Sequence, residues 1–278
     1  HKQEILESGL KLVTVPMSVP SVTVLVMVGV GSRYEDKKVK GISHFLEHMV
    51  FKGTAKYPTA LALSSAVDAV GAEFNAFTSK EYTGFYIKAG SQHLPLAIEV
   101  LGEMLFKPRL LAPELEREKG VIIEEINMYE DQPIRDIGNV FDTLLYSPTT
   151  LGWDVIGTKE TIKQMERADF VKHLSEWYKP ENMVVGIAGD AGKIQSAKFK
   201  IKSLVEEKFN QVKGEKLKVK SRQWEKFSQE KPGVRLKKKQ TEQAHFILGV
   251  RGLPRGHKDR YVMAVLSTLL GGNMSSRL

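Results

Sequence analysis

The sequence predicts an α+β fold: helices packed on one face of a mixed, mostly antiparallel sheet, followed by the start of a similar second unit. Three observations carry this reading. Stretches rich in β-branched residues and bounded by turn residues alternate with stretches of helical period. Two of the strand-like stretches, "AEFNAFTS" and "YTGFYIKAG", stand close enough to form a hairpin with "KE" near its turn. After a basic stretch, strand-like, loop and helix-like segments recur in the order already seen near the start. Mixed elements of this kind lay helices over one side of a sheet. The expected organisation is a first domain over residues 1–212, a basic linker over 213–232, and the beginning of a second, related domain over 233–278.

Taken in order, "LKLVTVP" and "VTVLVMVGV" read as strands. Residues 36–52 read as a helix stopped by Gly53. "ALALSSAVDAVG" is a helix ending at Gly71, and the hairpin follows it. "HLPLAIEVLGEMLF" is an amphipathic helix, and "APELEREKGVIIEEINMYED" is a long one with a proline near its first helical position. "ETIKQMERADFVKHLSEWY" reads as one helix, "NMVVGIAGD" as a buried strand and "KIQSAKFKIKSLVEEKF" as a helix. Beyond the linker, "AHFILGVRGLPRGHKDRYVMAVLSTLLGG" reads as strand, loop and helix. A lone strand and helix cannot bury both faces. This second unit is therefore expected to pack onto the first domain or to belong to a longer chain.

The 278 residues are 42% hydrophobic and 27% charged, an ordinary globular balance with enough apolar mass for a substantial core. Cysteine is absent, so a metal would have to be held by His, Asp or Glu. No apolar run approaches the ~20 residues of a membrane span, and no signal-peptide pattern opens the chain. A cytoplasmic location is expected, with the mitochondrial matrix or periplasm as the alternative if a targeting segment has been removed. The net charge of +8 is concentrated in residues 193–240, which hold sixteen Lys/Arg against five Asp/Glu. That stretch has little aromatic interleaving and no nucleic-acid motif. It reads as a solvated helix face and connector, and no nucleic-acid partner is expected.

The stretch "GISHFLEHMVFKGT", residues 41–54, carries the chemistry. At 100° per residue, Ile42, Phe45, Leu46 and Met49 form one apolar stripe. His44, Glu47 and His48 fall on the opposite side. Histidines at i and i+4 share a helix face and can chelate one ion, and Glu47 reaches the same space. Catalytic zinc keeps one of four positions for water, so two histidines need one more protein ligand, which here must be Asp, Glu or a third His. The helix "ELEREKGVIIEEINMYE" is the natural donor: Glu118 and Glu125 lie seven residues apart on one face, and Glu124 points about 100° away. Glu114 and Glu116 read as solvated.

"HFLEH" is the inverted zinc motif H-x-x-E-H of the inverzincins. Together with "GAEFNAFTSKEYTGFY" and "EREKGVIIEEINMYEDQP" in the same order, it makes the chain similar to the pitrilysin and mitochondrial processing peptidase family of zinc metallopeptidases, from near residue 8 to the end. The resemblance implies a third zinc ligand 77 positions after the second histidine, which falls on Glu125. It implies that Glu118, one heptad earlier, supports the site and counts with Glu47 among the catalytic residues. It also implies that Asn75 and Ala76, with Phe77 beside them, meet the substrate backbone at an edge strand.

From these parts the expected function is a zinc-dependent endopeptidase acting on unfolded or extended peptides. Zinc on His44, His48 and Glu125 would lower the pKa of its water towards ~7, and Glu47 would act as the general base. The alternative is a non-catalytic subunit or scaffold of the same fold. The expected partners are a peptide substrate and a second subunit, as a homodimer or as a heterodimer with a related chain. The resemblance further implies an Arg and a Tyr in the second half that position substrate after a "GGxMSSRL"-like segment. Here that segment is "GGNMSSRL" at residues 271–278, and the pair is not in the sequence. The chain is expected to be a piece that needs more chain or a partner.

Overall fold

The computed structural model describes residues 1–190, 192, 198–209, 231–240 and 242–277. Six strands form one sheet: β1 (Lys2–Ile5), β2 (Lys11–Met17), β3 (Ser21–Val28), β4 (Glu73–Thr78), β5 (Thr83–Gly90) and β6 (Met183–Asp190). Their spatial order is β1-β2-β6-β3-β5-β4. Only β2 and β6 run parallel, and every other neighbouring pair is antiparallel. The sheet is thus mixed and mostly antiparallel.

Side-chain alternation explains why the sheet has one covered face. In β3, Val22, Val24, Val26 and Val28 are buried while the residues between them are half-buried. Met183, Val185 and Ile187 of β6 and Phe85 and Ile87 of β5 join them on the same side. Helices close over that face: α1 (Ile42–Met49), α2 (Ala60–Asp68), α3 (Leu94–Phe106), α4 (Ala112–Glu130), α6 (Lys159–Gln164), α7 (Arg167–Trp177) and α8 (Lys198–Phe209), while α5 (Pro133–Tyr146) packs outside this core against α4. The apolar stripe of α1 is wholly inside, with Ile42 1% exposed and Phe45, Leu46 and Met49 at 0%. Phe45 meets Phe170 of α7 edge-on, ring centroids 4.9 Å apart. Truncating a ring so enclosed costs about 3–5 kcal/mol.

The sequence reading needs four adjustments. The helix expected over 36–52 is shorter, because Gly41 adopts φ +92° and starts α1 only at Ile42. A Cβ on Gly41 would also stand 2.4 Å from the Ile156 carbonyl oxygen, so glycine is required there. The helix expected over "ETIKQMERADFVKHLSEWY" is two. Met165 is extended and buried, and a reciprocal cap between Glu166 and Asp169 starts α7 anew. Two elements had no sequence assignment: β1, folded back on β2 through Gly9, and α5, which begins at Pro133. Finally, "AHFILGV" joins no ladder among the described residues, and Phe246, Leu248 and Val250 are exposed.

The basic linker expected over 213–232 falls outside the described residues except for Lys231 and Pro232. Beyond it the chain runs along α5. Lys237 pairs with Asp136 at 2.7 Å, Lys239 with Asp131 at 3.0 Å, and Arg251 donates to the Leu145 carbonyl. α9 (Arg260–Gly271) follows with Val262, Val265 and Leu269 exposed. Among the described residues no helix is long and apolar enough to cross a membrane.

Candidate metal centre

The site assembles from three elements, α1, α4 and the end of β4. On α1, His44 and His48 stand one turn apart on the half-buried side of the helix, ring centroids 4.7 Å apart and planes tilted by 58°. α1 holds its position because Glu35, buried in the preceding loop, accepts N–H bonds from Gly41 at 2.7 Å and Ser43 at 2.9 Å. The carboxyl thus satisfies the open amides at the helix start. Burial pushes it up to about 7, with the Ser43 and Gly41 amides pulling the other way.

α4 crosses α1 with Leu115, Glu118, Ile122 and Ile126 on its buried side. That face brings two carboxylates to the histidines. Glu125 Oε2 lies 3.7 Å from His44 Nε2 and 3.6 Å from His48 Nε2. Glu118 Oε1 lies 2.9 Å from His48 Nδ1, and its other oxygen takes the Lys52 ammonium at 2.7 Å. Burial raises the Glu118 carboxyl, but the His48 and Lys52 contacts outweigh it and hold the group below its ordinary value. Glu124 is exposed, and Glu114 and Glu116 pair with Arg117 and Lys119 at the surface.

Glu47 points to the sheet. Its Oε2 accepts from the hydroxyl of Thr78, the last residue of β4. Burial pushes its carboxyl above the ordinary range, against the pull of Thr78 and His48. A raised carboxyl takes up a proton more readily, as a general base must. Tyr129, one turn beyond Glu125 on α4, donates to Glu125 Oε1 at 2.9 Å. Burial and the Glu125 contact raise its phenol, which keeps the donor proton in place.

Among the described residues β4 is an edge strand of the sheet, beside α1. Asn75 and Phe77 face outward and Ala76 packs towards the core. Asn75 Oδ1 accepts from the Ala76 N–H at 2.8 Å. The Phe77 ring covers Gly84 of β5, where a Cβ would stand 2.2 Å from it, on the sheet face away from Glu47. The β4–β5 turn is anchored by Lys80, which donates to the carbonyls of Leu151 and Trp153 at 2.9 and 3.1 Å and pairs with Asp142 at 2.8 Å.

His44, His48 and Glu125 each offer one ligand atom, and these atoms all lie within 4.8 Å of one another. Two imidazoles and one carboxylate, with no thiol, make a donor set for zinc with a position left for water. Burial, and then His48, depress the His44 imidazole to about 3, so it is neutral and its lone pair is available. The donor set fits a catalytic divalent metal. Sequence reasoning placed His44, Glu47, His48, Glu118 and Glu125 together, but it missed Glu35, Lys52, Thr78 and Tyr129. Tyr129 had a visible signal, its i+4 spacing from Glu125.

Residues 12–158 match the family described as insulinase, peptidase family M16, and residues 164–278 match the peptidase M16 inactive domain. The chain is 38% identical over 265 residues to a Bacillus subtilis (strain 168) protein named as an uncharacterized zinc protease, covering 94% of this chain and 61% of that one. It is 32% identical over 285 residues to the mitochondrial-processing peptidase subunit beta of Bos taurus, covering 98% and 56%. A Helicobacter pylori protease of known crystal structure superposes with a TM-score of 0.71 at 28% identity, over 77% of this chain and 51% of that one. The chain therefore spans about three fifths of the length of the curated relatives it matches.

Proposed function

The chain belongs to the insulinase family of peptidases, family M16, and from that premise we propose that it carries the zinc centre of an endopeptidase acting on unfolded or extended peptides. The observation that carries the proposal is the convergence of His44, His48 and Glu125 with Glu47 beside them. Zinc is the family's metal, and homologues are named zinc proteases.

His44, His48 and Glu125 would hold the zinc, which when bound supplies Lewis-acid polarisation of a carbonyl and acidifies a water. Glu118 fixes the His48 ring through Nδ1, which leaves Nε2 to face the metal. Thr78 occupies one oxygen of Glu47, so the other is left to accept a proton from the attacking water and pass it to the leaving amine. An extended peptide adds to the open edge of β4. A peptide carbonyl there would take over the Ala76 amide that the Asn75 side chain holds in the free protein. Because Thr78 ends that strand and touches Glu47, binding at the edge brings the scissile bond to the base.

A second reading, a non-catalytic subunit, draws on the match of residues 164–278 to a domain described as inactive. That match begins after every site residue named above, all of which lie within residues 12–158. The relatives named as subunits support a partner of related fold, and the exposed apolar side of α9 is a surface such a partner could cover. The discriminating experiment is zinc content together with cleavage of one unfolded peptide, before and after chelation and after zinc is restored. Zinc-reversible cleavage is expected. A zinc-loaded full-length protein, with its partner present, that leaves the peptide intact would favour the subunit reading.

A further inference from the structure

We propose that Tyr129 sets how Glu125 binds the metal, confining it to a single oxygen. The inference rests on the reading of His44, His48 and Glu125 as zinc ligands. A glutamate can offer a cation one oxygen or both. Here the two oxygens are in different surroundings. Oε2 faces both imidazoles, 3.7 Å from His44 Nε2 and 3.6 Å from His48 Nε2. Oε1 accepts the Tyr129 hydroxyl at 2.9 Å.

The phenol is well placed to impose this. It sits one helical turn from Glu125 on the same face of α4, so the bond needs no distant element to form. Its ring is half-buried against the core, and the Arg135 guanidinium lies 5.4 Å from the ring centroid. Packing of the ring against the core directs its hydroxyl to Oε1, and Arg135 is a neighbour of the ring that takes no part in the Glu125 bond. Turning Oε1 towards the metal would break a hydrogen bond to a charged acceptor in a half-buried place. Three ligands giving one atom each leave the fourth position of a tetrahedral site for water. A carboxylate binding through both oxygens would compete for that position. Tyr129 is thus a positioning residue, acting on the reaction through Glu125.

The test uses Tyr129→Phe, which removes the hydroxyl and keeps the ring. Zinc affinity is measured by competition with a chromophoric chelator, cobalt coordination by the visible bands of the cobalt-loaded protein, and integrity by thermal unfolding of the metal-free form. The expected result is a zinc affinity about 10- to 100-fold lower. Cobalt bands should weaken, because five-coordinate cobalt absorbs less than four-coordinate cobalt, and the metal-free midpoint should stay unchanged. Arg135→Ala, which disturbs the ring's neighbour and not its hydroxyl, should leave zinc affinity within about twofold of the parent chain, well short of the loss expected for a metal-supporting contact. Unaltered affinity and bands in Tyr129→Phe overturn the proposal. So does an equal loss in Arg135→Ala, or a lowered metal-free midpoint with unaltered bands, since either assigns the ring to packing. If His48→Ala still binds zinc as the parent does, the ligand assignment itself fails and the proposal falls with it.

Discussion

Glu118→Gln isolates the support behind His48. The substitution keeps the side chain's volume and removes its charge. In the parent, the carboxylate is buried, takes the His48 Nδ1 at 2.9 Å and the Lys52 ammonium at 2.7 Å. An amide can present only one oxygen, so it keeps one of these contacts and turns an N–H₂ towards the other donor. A hydrogen bond to a charged group contributes about 1.5–3 kcal/mol. Loss of a carboxylate that orients a ligating histidine lowers metal affinity about 10- to 100-fold, or about 1.4–2.8 kcal/mol. The two routes agree in size, so zinc affinity is the quantity to follow. Lys52 is 28% exposed and can turn to water, so its share of the loss in the metal-free protein should be no more than about 1 kcal/mol, and the rest is the His48 contact. Competitive zinc titration beside urea unfolding of the metal-free forms separates the two effects. A Glu118→Gln protein with parental zinc affinity would refute the idea that Glu118 orients His48 for the metal. A loss of stability larger than the loss of affinity would make Glu118 a core residue first.

Three further predictions follow the same geometry. Glu47→Gln should keep its zinc and lose peptide hydrolysis by a factor of about 10² or more, and near-normal turnover would remove Glu47 from the proton transfer. Thr78→Val should lower kcat with zinc content unchanged, Thr78→Ser should recover most of it, and equal activity in the two would show that the hydroxyl does not hold Glu47. Glu35 makes a pH prediction. Its folded carboxyl is raised to about 7 by burial, so the folded protein holds the proton more tightly than the unfolded chain does. Its contribution is therefore full at low pH and is lost as pH rises through the folded value. In urea unfolding of the metal-free forms, the parent's stability relative to Glu35→Gln should fall by roughly 2–3 kcal/mol between pH 5 and 8. A difference that is the same at both pH values would show that burial does not perturb this carboxyl.

Much of this protein can be read along one dimension. The apolar stripe Ile42, Phe45, Leu46, Met49 and the opposed His44, Glu47 and His48 follow from helical period alone, and the buried and half-exposed sides of α1 match it. The β4–β5 hairpin and the buried β3 and β6 follow from alternation and β-branched composition. These features are local: each depends on which residues stand two, three or four apart. Glu118 and Glu125 were legible as a shared helix face, and the choice of Glu125 as third ligand rested on resemblance.

What the sequence could not decide was contact across long separations. The sheet order, with β6 between β2 and β3, depends on strands more than 150 residues apart along the chain meeting. The break at Met165 lies in a helical pattern, and it occurs because the side chain is drawn into the core while Glu166 and Asp169 offer a fresh cap. Thr78 and Glu35 look like an ordinary strand end and an ordinary loop acid. They become parts of the site only when β4 and the loop before α1 are laid against the metal helix. A helix face can set out the ligands. Which oxygen of each carboxylate is already engaged, by Thr78, Tyr129 or Lys52, is settled only by packing, because those hydroxyls and that ammonium act within about 3 Å and their positions depend on how α1, α4 and the sheet pack.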